Sequence, residues 1–451
     1  MNRKTIVLLL CAIFFAFVAC GKEEKKPANK GEDTKAVETR ITNLKEAYGT
    51  EVPAYETTEG EELPVYPEGN GGYQVYIQRT NKEEFERYAQ LLKKNGFSVY
   101  SEKKVSAGSD YSDKNAFITY TGRGIHVLLA WYPALSSVRI IITPEEELPS
   151  LKKPKLEVTD TVKPTVTQMQ LDVEGMMYVI QLVDGKFIVI DGGMYGFEDT
   201  LRLHDFLIDK TPEGQKPTIA TWIFTHEHPD HIQLPKEFIP RYKDEIALES
   251  VSYRFPSKEF VSVESANSEA PIKSIEELIQ IVKTNYPDAI HYQLHAGQCY
   301  YYKGMELEIL HTTEEFYPYI ATSWNDTSLG FRMIFDSGKT AMFLGDSTPR
   351  LCQIMVDIYG DYLKSDVMQL THHGLLGGNL ELYQNIDPDI CFWATSEAKF
   401  NGTYTGYRYK YCLGEGGCDY NAYIRDDSIK KREHYHNGTT STILMLPASV
   451  N

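Results

Sequence analysis

Apolar and polar residues alternate along the first third of the chain in the way that half-buried strands require. Tyr73–Gln78 (YQVYIQ) predicts one strand, and FSVYSE, NAFITYTG, IHVLLAWY and SVRIIIT predict four more, separated by Gly, Ser and Pro. Between the first two, Lys82–Gly96 places its apolar residues on one helical face and ends in glycine. We therefore predict a small α+β domain over residues 64–144, with one helix on an antiparallel sheet.

A charged, proline-containing run over 145–164 predicts a linker, and the pattern then changes. Over 165–451, closely spaced hairpin strands come first, and helical patterns such as FEDTLRLHDFLIDK, SIEELIQIVKTNY and PRLCQIMVDIYG then alternate with apolar strands. This order predicts an α/β domain in which helices cover the sheets.

The first 63 residues show no pattern of a folded domain. Residues 1–19 have a basic start and an apolar stretch too short for a comfortable membrane span. Phe17-Val18-Ala19-Cys20 resembles the lipobox of bacterial lipoproteins, which implies lipidation of Cys20; an ordinary secretory signal is the alternative. Residues 20–63 suit a flexible tether. We expect an exported protein, anchored by lipid at Cys20 to a bacterial membrane surface.

Charge and cysteine usage narrow the possible partners. The chain has 46 Lys and Arg against 63 Asp and Glu, a net charge of −17, which disfavours binding of DNA through a basic surface. Cys299, Cys352 and Cys391 lie beside apolar residues and are predicted to be buried thiols. Cys412 and Cys418 flank LGEGG, where an oxidising compartment would allow a disulfide, with two free thiols as the alternative.

The most informative stretch is TWIFTHEHPDHIQL, where an apolar strand runs into four metal-capable side chains. His226 and His228 are two residues apart and leave an extended chain on the same side. Imidazole nitrogen is a zinc ligand, and Asp230 and His231 follow at once. Two pairs of ligands are more than one ion needs, so the stretch predicts a site for two metal ions.

Other strand ends supply the same kinds of residue. Asp191 ends IVID, Asp346 ends FLGD, and His372 and His373 end MQLTHH. Each alone is weak, because Asp-Gly turns after strands are common. Four strand ends of this kind in one domain predict a shared metal site.

His226, His228, Asp230 and His231 form H-x-H-x-D-H, and over residues 165–446 the chain resembles the metallo-β-lactamase superfamily. The resemblance implies a four-layer αββα sandwich with a dinuclear site, preceded here by the small α+β domain. It also implies that Asp191 orients the site. The implied ligands are His226 and His228 for the first metal and Asp230 and His231 for the second. Asp346 would bridge the two metals, and His372, or His373 in its place, would complete the second site.

One ligand of the family pattern is altered. A further histidine is expected before the strand that leads to the bridging aspartate, and Asn325 and Asp326 occupy that region. Asp326 is therefore a predicted metal ligand, while His311 is an alternative supplier one strand too early. NDTSL, FLGD and LTHHG resemble the branch that contains the competence DNA-uptake channel proteins and the phosphorylcholine esterases.

The expected function is that of a metallo-hydrolase that uses a metal-bound hydroxide, with Asp230 and Asp191 as catalytic residues and two divalent ions, zinc or else manganese. A small or single phosphoester is the expected substrate, and DNA is disfavoured by charge. The alternatives are hydrolysis of a carboxylic ester, lactone or β-lactam, and a non-catalytic surface binding lipoprotein on the same fold.

Overall fold

The computed structural model describes residues 46–68, 71–257, 269–375, 377–403 and 419–446. The predicted signal peptide, the lipidation of Cys20 and the Cys412–Cys418 disulfide lie outside these residues. Within them, no helix has the length and apolar character needed to cross a membrane. The described residues belong to one compact unit, and the predicted boundaries at 64, 145 and 165 remain predictions.

The first sheet has seven strands, which pair antiparallel in the order β1-β3-β7-β6-β5-β4, with β2 beside β3. The strands are β1 (Glu61–Glu62), β2 (Tyr66–Pro67), β3 (Tyr73–Gln78), β4 (Ser98–Ser106), β5 (Lys114–Gly122), β6 (Ile125–Tyr132) and β7 (Ser137–Pro144). Helix α1 (Lys82–Lys94) begins at the Asn81 cap, whose side chain accepts from the Glu84 amide.

Both faces of this sheet are covered. Phe85, Tyr88 and Leu92 of α1 pack with apolar strand residues such as Val75 and Val127 on one face. On the other face, residues that alternate with these, including Tyr76 and Phe117, join a core shared with later helices. The first sheet is therefore packed against the rest of the described chain through apolar contacts.

Two further sheets follow. The second has the order β14-β13-β11-β10-β9-β8-β22, with β12 beside β11, and the third has the order β15-β16-β17-β18-β19-β20-β21. Their strands are β8 (Thr165–Gln168), β9 (Met177–Gln181), β10 (Phe187–Asp191), β11 (Thr218–Phe224), β12 (Ala247–Leu248), β13 (Ser250–Tyr253), β14 (Ile290–Gln293), β15 (Cys299–Tyr302), β16 (Met305–His311), β17 (Gly330–Phe335), β18 (Thr340–Phe343), β19 (Val367–Gln369), β20 (Ile390–Trp393), β21 (Glu433–His436) and β22 (Ser441–Leu444).

The helices flank these sheets. They are α2 (Phe197–Lys210), α3 (Pro229–Tyr242), α4 (Glu269–Asn285), α5 (Thr313–Phe316), α6 (Pro349–Tyr359), α7 (Leu380–Ile386), α8 (Glu397–Phe400) and α9 (Asp419–Arg425).

Alternation along each strand builds the layers. In β10, Ile188 and Ile190 face the core between the second and third sheets, while Phe187 and Val189 face the core under α2, α3 and α4. The third sheet packs its other face on α6 and α7. The predicted α/β fold of four layers, helices outside two facing sheets, is confirmed.

Parallel pairing places the candidate ligands at one edge. β10 and β11 are parallel, as are β18, β19 and β20, so the carboxyl ends of each group meet at the same side of their sheet. Asp191 is the last residue of β10 and His226 follows β11, whereas Asp346 follows β18 and His373 follows β19. The sandwich brings these two sets of strand ends together.

Candidate metal centre

Asp191 anchors one side of the site without facing it. Its carboxylate accepts hydrogen bonds from the Thr225 amide at 2.8 Å and the Thr225 hydroxyl at 2.7 Å, and it contacts His231 Nδ1 at 2.7 Å. Asp191 has a φ of +53°, a left-handed conformation that turns the chain at the strand end. Since Nδ1 of His231 is held by the carboxylate, Nε2 is the nitrogen left to bind a ligand.

His226 and His228 form the first group of potential ligands together with Asp346. One donor atom of each lies within 4.8 Å of the others. His226 Nε2 is 3.1 Å from His228 Nδ1 and 3.8 Å from Asp346 Oδ2. His228 also caps α3, with Pro229 at the first helical position, where a missing amide hydrogen does no harm.

The second group consists of Asp230, His231, Asp346 and His373, again within 4.8 Å of one another. His231 Nε2 is 3.4 Å from Asp346 Oδ1, and His373 Nε2 is 3.1 Å from Asp230 Oδ2. Asp346 belongs to both groups, so its carboxylate lies between them, as a bridging ligand would. Its amide donates to the Ser328 hydroxyl at 3.1 Å, which fixes the backbone at that point.

A left-handed turn presents His373. His372, His373 and Gly374 have φ values of +49°, +60° and +74° in succession, and such a run is rare outside functional sites. His373 Nδ1 is 2.7 Å from the carbonyl oxygen of Ala394. That carbonyl can only accept, so Nδ1 carries the hydrogen and Nε2 faces the carboxylates as a potential ligand.

The ionisation of the cluster reflects burial and crowding of opposite charges. Burial holds the pKa of His226 well below its ordinary value, with His231 adding to the effect. For His231 burial acts in the same direction, but Asp346, Asp191 and Asp230 outweigh it and raise its pKa to about 10. Burial alone would raise the pKa of Asp346, yet His373 and His231 hold it well below the ordinary value. The carboxylates of Asp191, Asp230 and Asp346 therefore favour a positive charge in the space around His231.

The donor set fits a pair of divalent cations. His231 Nε2, His373 Nε2 and Asp346 Oδ1 are buried and, despite their short distances to one another and to Asp230, make no hydrogen bond of acceptable geometry within the described part of the chain. Buried polar atoms are rarely left without a partner, and ligation by a cation would satisfy all three. Imidazole nitrogens with carboxylate oxygens suit zinc, iron and manganese.

Two of the predicted ligands lie outside both groups. His372 Nε2 is 3.8 Å from Asp346 Oδ2, as close as His226 Nε2, but His373, the predicted alternative, is the member of the pair that belongs to a group. Asp326 belongs to neither group and has other partners. One of its oxygens accepts from the Thr322 and Ser323 amides and the other from the Thr348 hydroxyl, so its carboxylate stabilises its own turn.

The structure also shows positioning residues that the sequence patterns did not indicate. Thr225 holds Asp191 through its amide and hydroxyl, and the same hydroxyl is 3.2 Å from His226 Nδ1. Ser328 holds the Asp346 amide. Threonine directly before H-x-H was the available signal for Thr225, and the NDTSL motif contained Ser328 without indicating its role.

Comparison with known proteins gives weak likenesses only. No protein-family model and no curated protein match the chain. Among solved structures, this chain is similar to the diiron β-hydroxylase CmlA from Streptomyces venezuelae (11% identity, 81% of this chain, 79% of that chain, TM-score 0.35). It is also similar to a mutant of CmlA β-hydroxylase (12% identity, 65% of this chain, TM-score 0.37), and spans only 55% of that mutant chain. It is also similar to a motif mutant of a metallo-β-lactamase from Cronobacter sakazakii (14%, 60% of this chain, 93% of that chain, TM-score 0.27). Such values say nothing of activity or ligands, so function has to be inferred from the site itself.

Proposed function

We propose that this chain is a metal-dependent hydrolase of the metallo-β-lactamase superfamily that cleaves a small phosphoester. The observation that carries the proposal is the pair of ligand groups that share Asp346. A shared carboxylate would hold two cations close together, as two-metal hydrolytic sites require. When bound, such ions supply an acidified water and positive charge for the negative charge that develops on the reacting ester.

The residues of the chain prepare this chemistry. Asp191 and the Ala394 carbonyl fix the rings of His231 and His373, so that both Nε2 atoms are directed at the carboxylates before any ligand arrives. Asp230 is the most exposed of the second group, with a quarter of its side chain accessible. We infer that Asp230 lies at the side of the site that the substrate approaches.

Charge supports the choice of a small phosphoester as the substrate class. The net charge of −17 opposes a long polyanion, while two divalent cations at one point attract a single phosphate group. NDTSL, FLGD and LTHHG resemble the branch with the phosphorylcholine esterases and competence channel proteins, which also supports a phosphoester. Ser328 in the first motif and Asp346 in the second are in direct contact.

The test measures metal and activity together. Full-length protein reconstituted with zinc or manganese should bind about two ions per chain, by elemental analysis, and should hydrolyse bis-(p-nitrophenyl) phosphate. The double variant His226→Ala/His228→Ala should lose ions and activity. His204→Ala is the matched control, because His204 lies on α2 between Asp205 and Glu245, outside both groups.

The outcomes separate the alternatives. Fewer than one ion per chain and no phosphoester cleavage would refute the proposal. Faster hydrolysis of nitrocefin or of a carboxylic ester would shift the substrate class while keeping the metallo-hydrolase. Retention of metal and activity by the double variant would favour the non-catalytic binding protein or a different site.

We also propose export and lipid anchoring at Cys20. The support is the lipobox-like sequence that precedes Cys20 and the polar tether that follows it. Cys20→Ser should move the protein from the membrane fraction to the soluble fraction of the host and abolish labelling by a fatty acid. Unchanged membrane association would argue against the anchor.

A further inference from the structure

Lys103 and Cys299 form a contact remote in sequence and unused by the metal centre. Lys103 lies on β4 of the first sheet, and Cys299 begins β15, at the edge of the third sheet, 196 residues later. The ammonium nitrogen is 2.6 Å from the sulfur. About a quarter of the Lys103 side chain is accessible. Cys299, which was predicted to be buried, is only partly so.

The N–S distance is informative because sulfur is a large atom. Hydrogen bonds from N–H to the smaller oxygen are about 2.7–3.2 Å between heavy atoms, and those to sulfur are longer. A separation of 2.6 Å is therefore shorter than a hydrogen bond would give, yet too long for a direct N–S bond. It suits two atoms joined through a single bridging oxygen.

We propose that Lys103 and Cys299 are a site of oxidative cross-linking, at which dioxygen converts the amine and the thiol into an N–O–S bridge. One N–H bond and the S–H bond break, and one N–O and one O–S bond form. Nitrogen and sulfur each lose two electrons, and dioxygen takes up the four, giving the bridging oxygen and one water. The ammonium must first release a proton, which passes to solvent, because about a quarter of the Lys103 side chain is accessible.

The surroundings hold the two atoms in place. Lys103 Nζ contacts Glu308 Oε1 at 2.7 Å and Glu306 Oε1 at 3.3 Å, besides the sulfur. Glu308 is in turn held by Arg332 Nη2 at 2.7 Å, so the buried carboxylate fixes the lysine over the thiol. Burial raises the pKa of the Cys299 thiol to about 12, and the neighbouring Lys103 ammonium opposes this. The bridge would tie the first sheet to the third.

Mass spectrometry of the full chain tests the proposal. Protein purified in air without reductant should be denatured, alkylated and digested. We expect a linked pair of peptides that contain Lys103 and Cys299, whose mass is their sum plus one oxygen and minus two hydrogens. Dithiothreitol should abolish the linked pair and release Cys299 for alkylation, while buried Cys352 should be alkylated with or without reductant.

Two conservative variants serve as controls. Lys103→Arg keeps the positive charge and Cys299→Ser keeps the approximate shape, and neither should form the link. Complete alkylation of Cys299 in unreduced wild-type protein, even after exposure to oxygen, would overturn the proposal. So would a disulfide or sulfinic acid at Cys299, or oxidation of Cys299 that is equal in wild type and Lys103→Arg.

Discussion

His295 provides the sharpest test of how charge is arranged in this fold. The ring follows β14 and is fully buried. Its Nε2 is 2.7 Å from Glu146, and its Nδ1 is 2.8 Å from Glu314 on α5. A neutral imidazole has one N–H, so two carboxylates require both nitrogens to donate, and the ring must be an imidazolium. Replacing it with Asn removes a buried cation from between two carboxylates.

The size of the effect can be worked out in two ways. Burial lowers the pKa of His295, Glu314 and Glu146 raise it, and the result is an increase from 6.5 to about 9. Since one pKa unit corresponds to about 1.4 kcal/mol, the ion network contributes about 3 kcal/mol to folding. Removal of one partner from a buried ion pair costs about 3–5 kcal/mol. We expect His295→Asn to lower the free energy of unfolding by about 3 kcal/mol near pH 6.

The pH dependence has a fixed sign. A histidine whose pKa is raised on folding contributes fully below its unfolded value of 6.5, and the contribution is lost as pH rises through about 9. The difference in unfolding free energy between wild type and His295→Asn should therefore shrink toward zero at about pH 10. Urea denaturation followed by circular dichroism at several pH values measures it.

His204 gives a matched control. Its ring also lies between two carboxylates, Asp205 at 2.9 Å and Glu245 at 3.2 Å, but these are 66% and 58% exposed. Water screens such pairs, so His204→Asn should change stability by less than about 1 kcal/mol. A His295→Asn effect below about 0.5 kcal/mol, the size of a surface substitution, would refute the reasoning. An effect that stays constant across the pH range would refute the assignment of the imidazolium.

Three further outcomes are expected at the metal centre. Asp191→Asn weakens the hold on its histidine ring and should lower zinc affinity by about 10–100-fold, as measured by titration against a competing chelator; unchanged affinity would show that the carboxylate does not position the ligand. His373→Ala should lose about one bound ion per chain and His372→Ala none, by elemental analysis, and the reverse result would restore the sequence-based choice. Gly374→Ala would place a Cβ 2.2 Å from the Trp393 ring at a φ of +74°. The free energy of unfolding, measured by thermal denaturation, should therefore fall by about 2–5 kcal/mol. A wild-type melting temperature would contradict the turn geometry.

The sequence predictions and the structure agree on placement where a candidate ligand lies close to a strand end. His226 comes shortly after β11 and Asp346 shortly after β18, whereas Asp230 lies in the first turn of α3. The sequence left the choice between two residues open where a turn decides the direction of the side chain. His372 and His373 are adjacent and chemically identical, and only their consecutive left-handed conformations determine which ring enters the site. Asp326 lies in the expected region, but its carboxylate accepts a hydrogen bond from a backbone amide in a capping box. A search for ligand patterns in the sequence does not consider such bonds to the backbone.

The sequence also could not predict contacts between residues that lie far apart along the chain. His295 and Glu146 are 149 residues apart, and Lys103 and Cys299 are 196 apart. No periodicity links such positions, because each lies on its own element and the contact exists only once the first sheet packs on the others. The sequence therefore predicts which chemistry a strand end carries, whereas packing between sheets decides which buried charges meet.

The two anchored rings show how the fold prepares the site. Asp191 holds Nδ1 of His231, and the Ala394 carbonyl holds Nδ1 of His373, so both rings are oriented by groups outside the two ligand sets. The anchors come from different sheets, β10 in the second and the end of β20 in the third. Orientation of both Nε2 atoms therefore depends on the packing of the two sheets rather than on a bound ion. The ligand geometry should accordingly be present before metal binds, and loss of metal should leave the secondary structure content by circular dichroism unchanged.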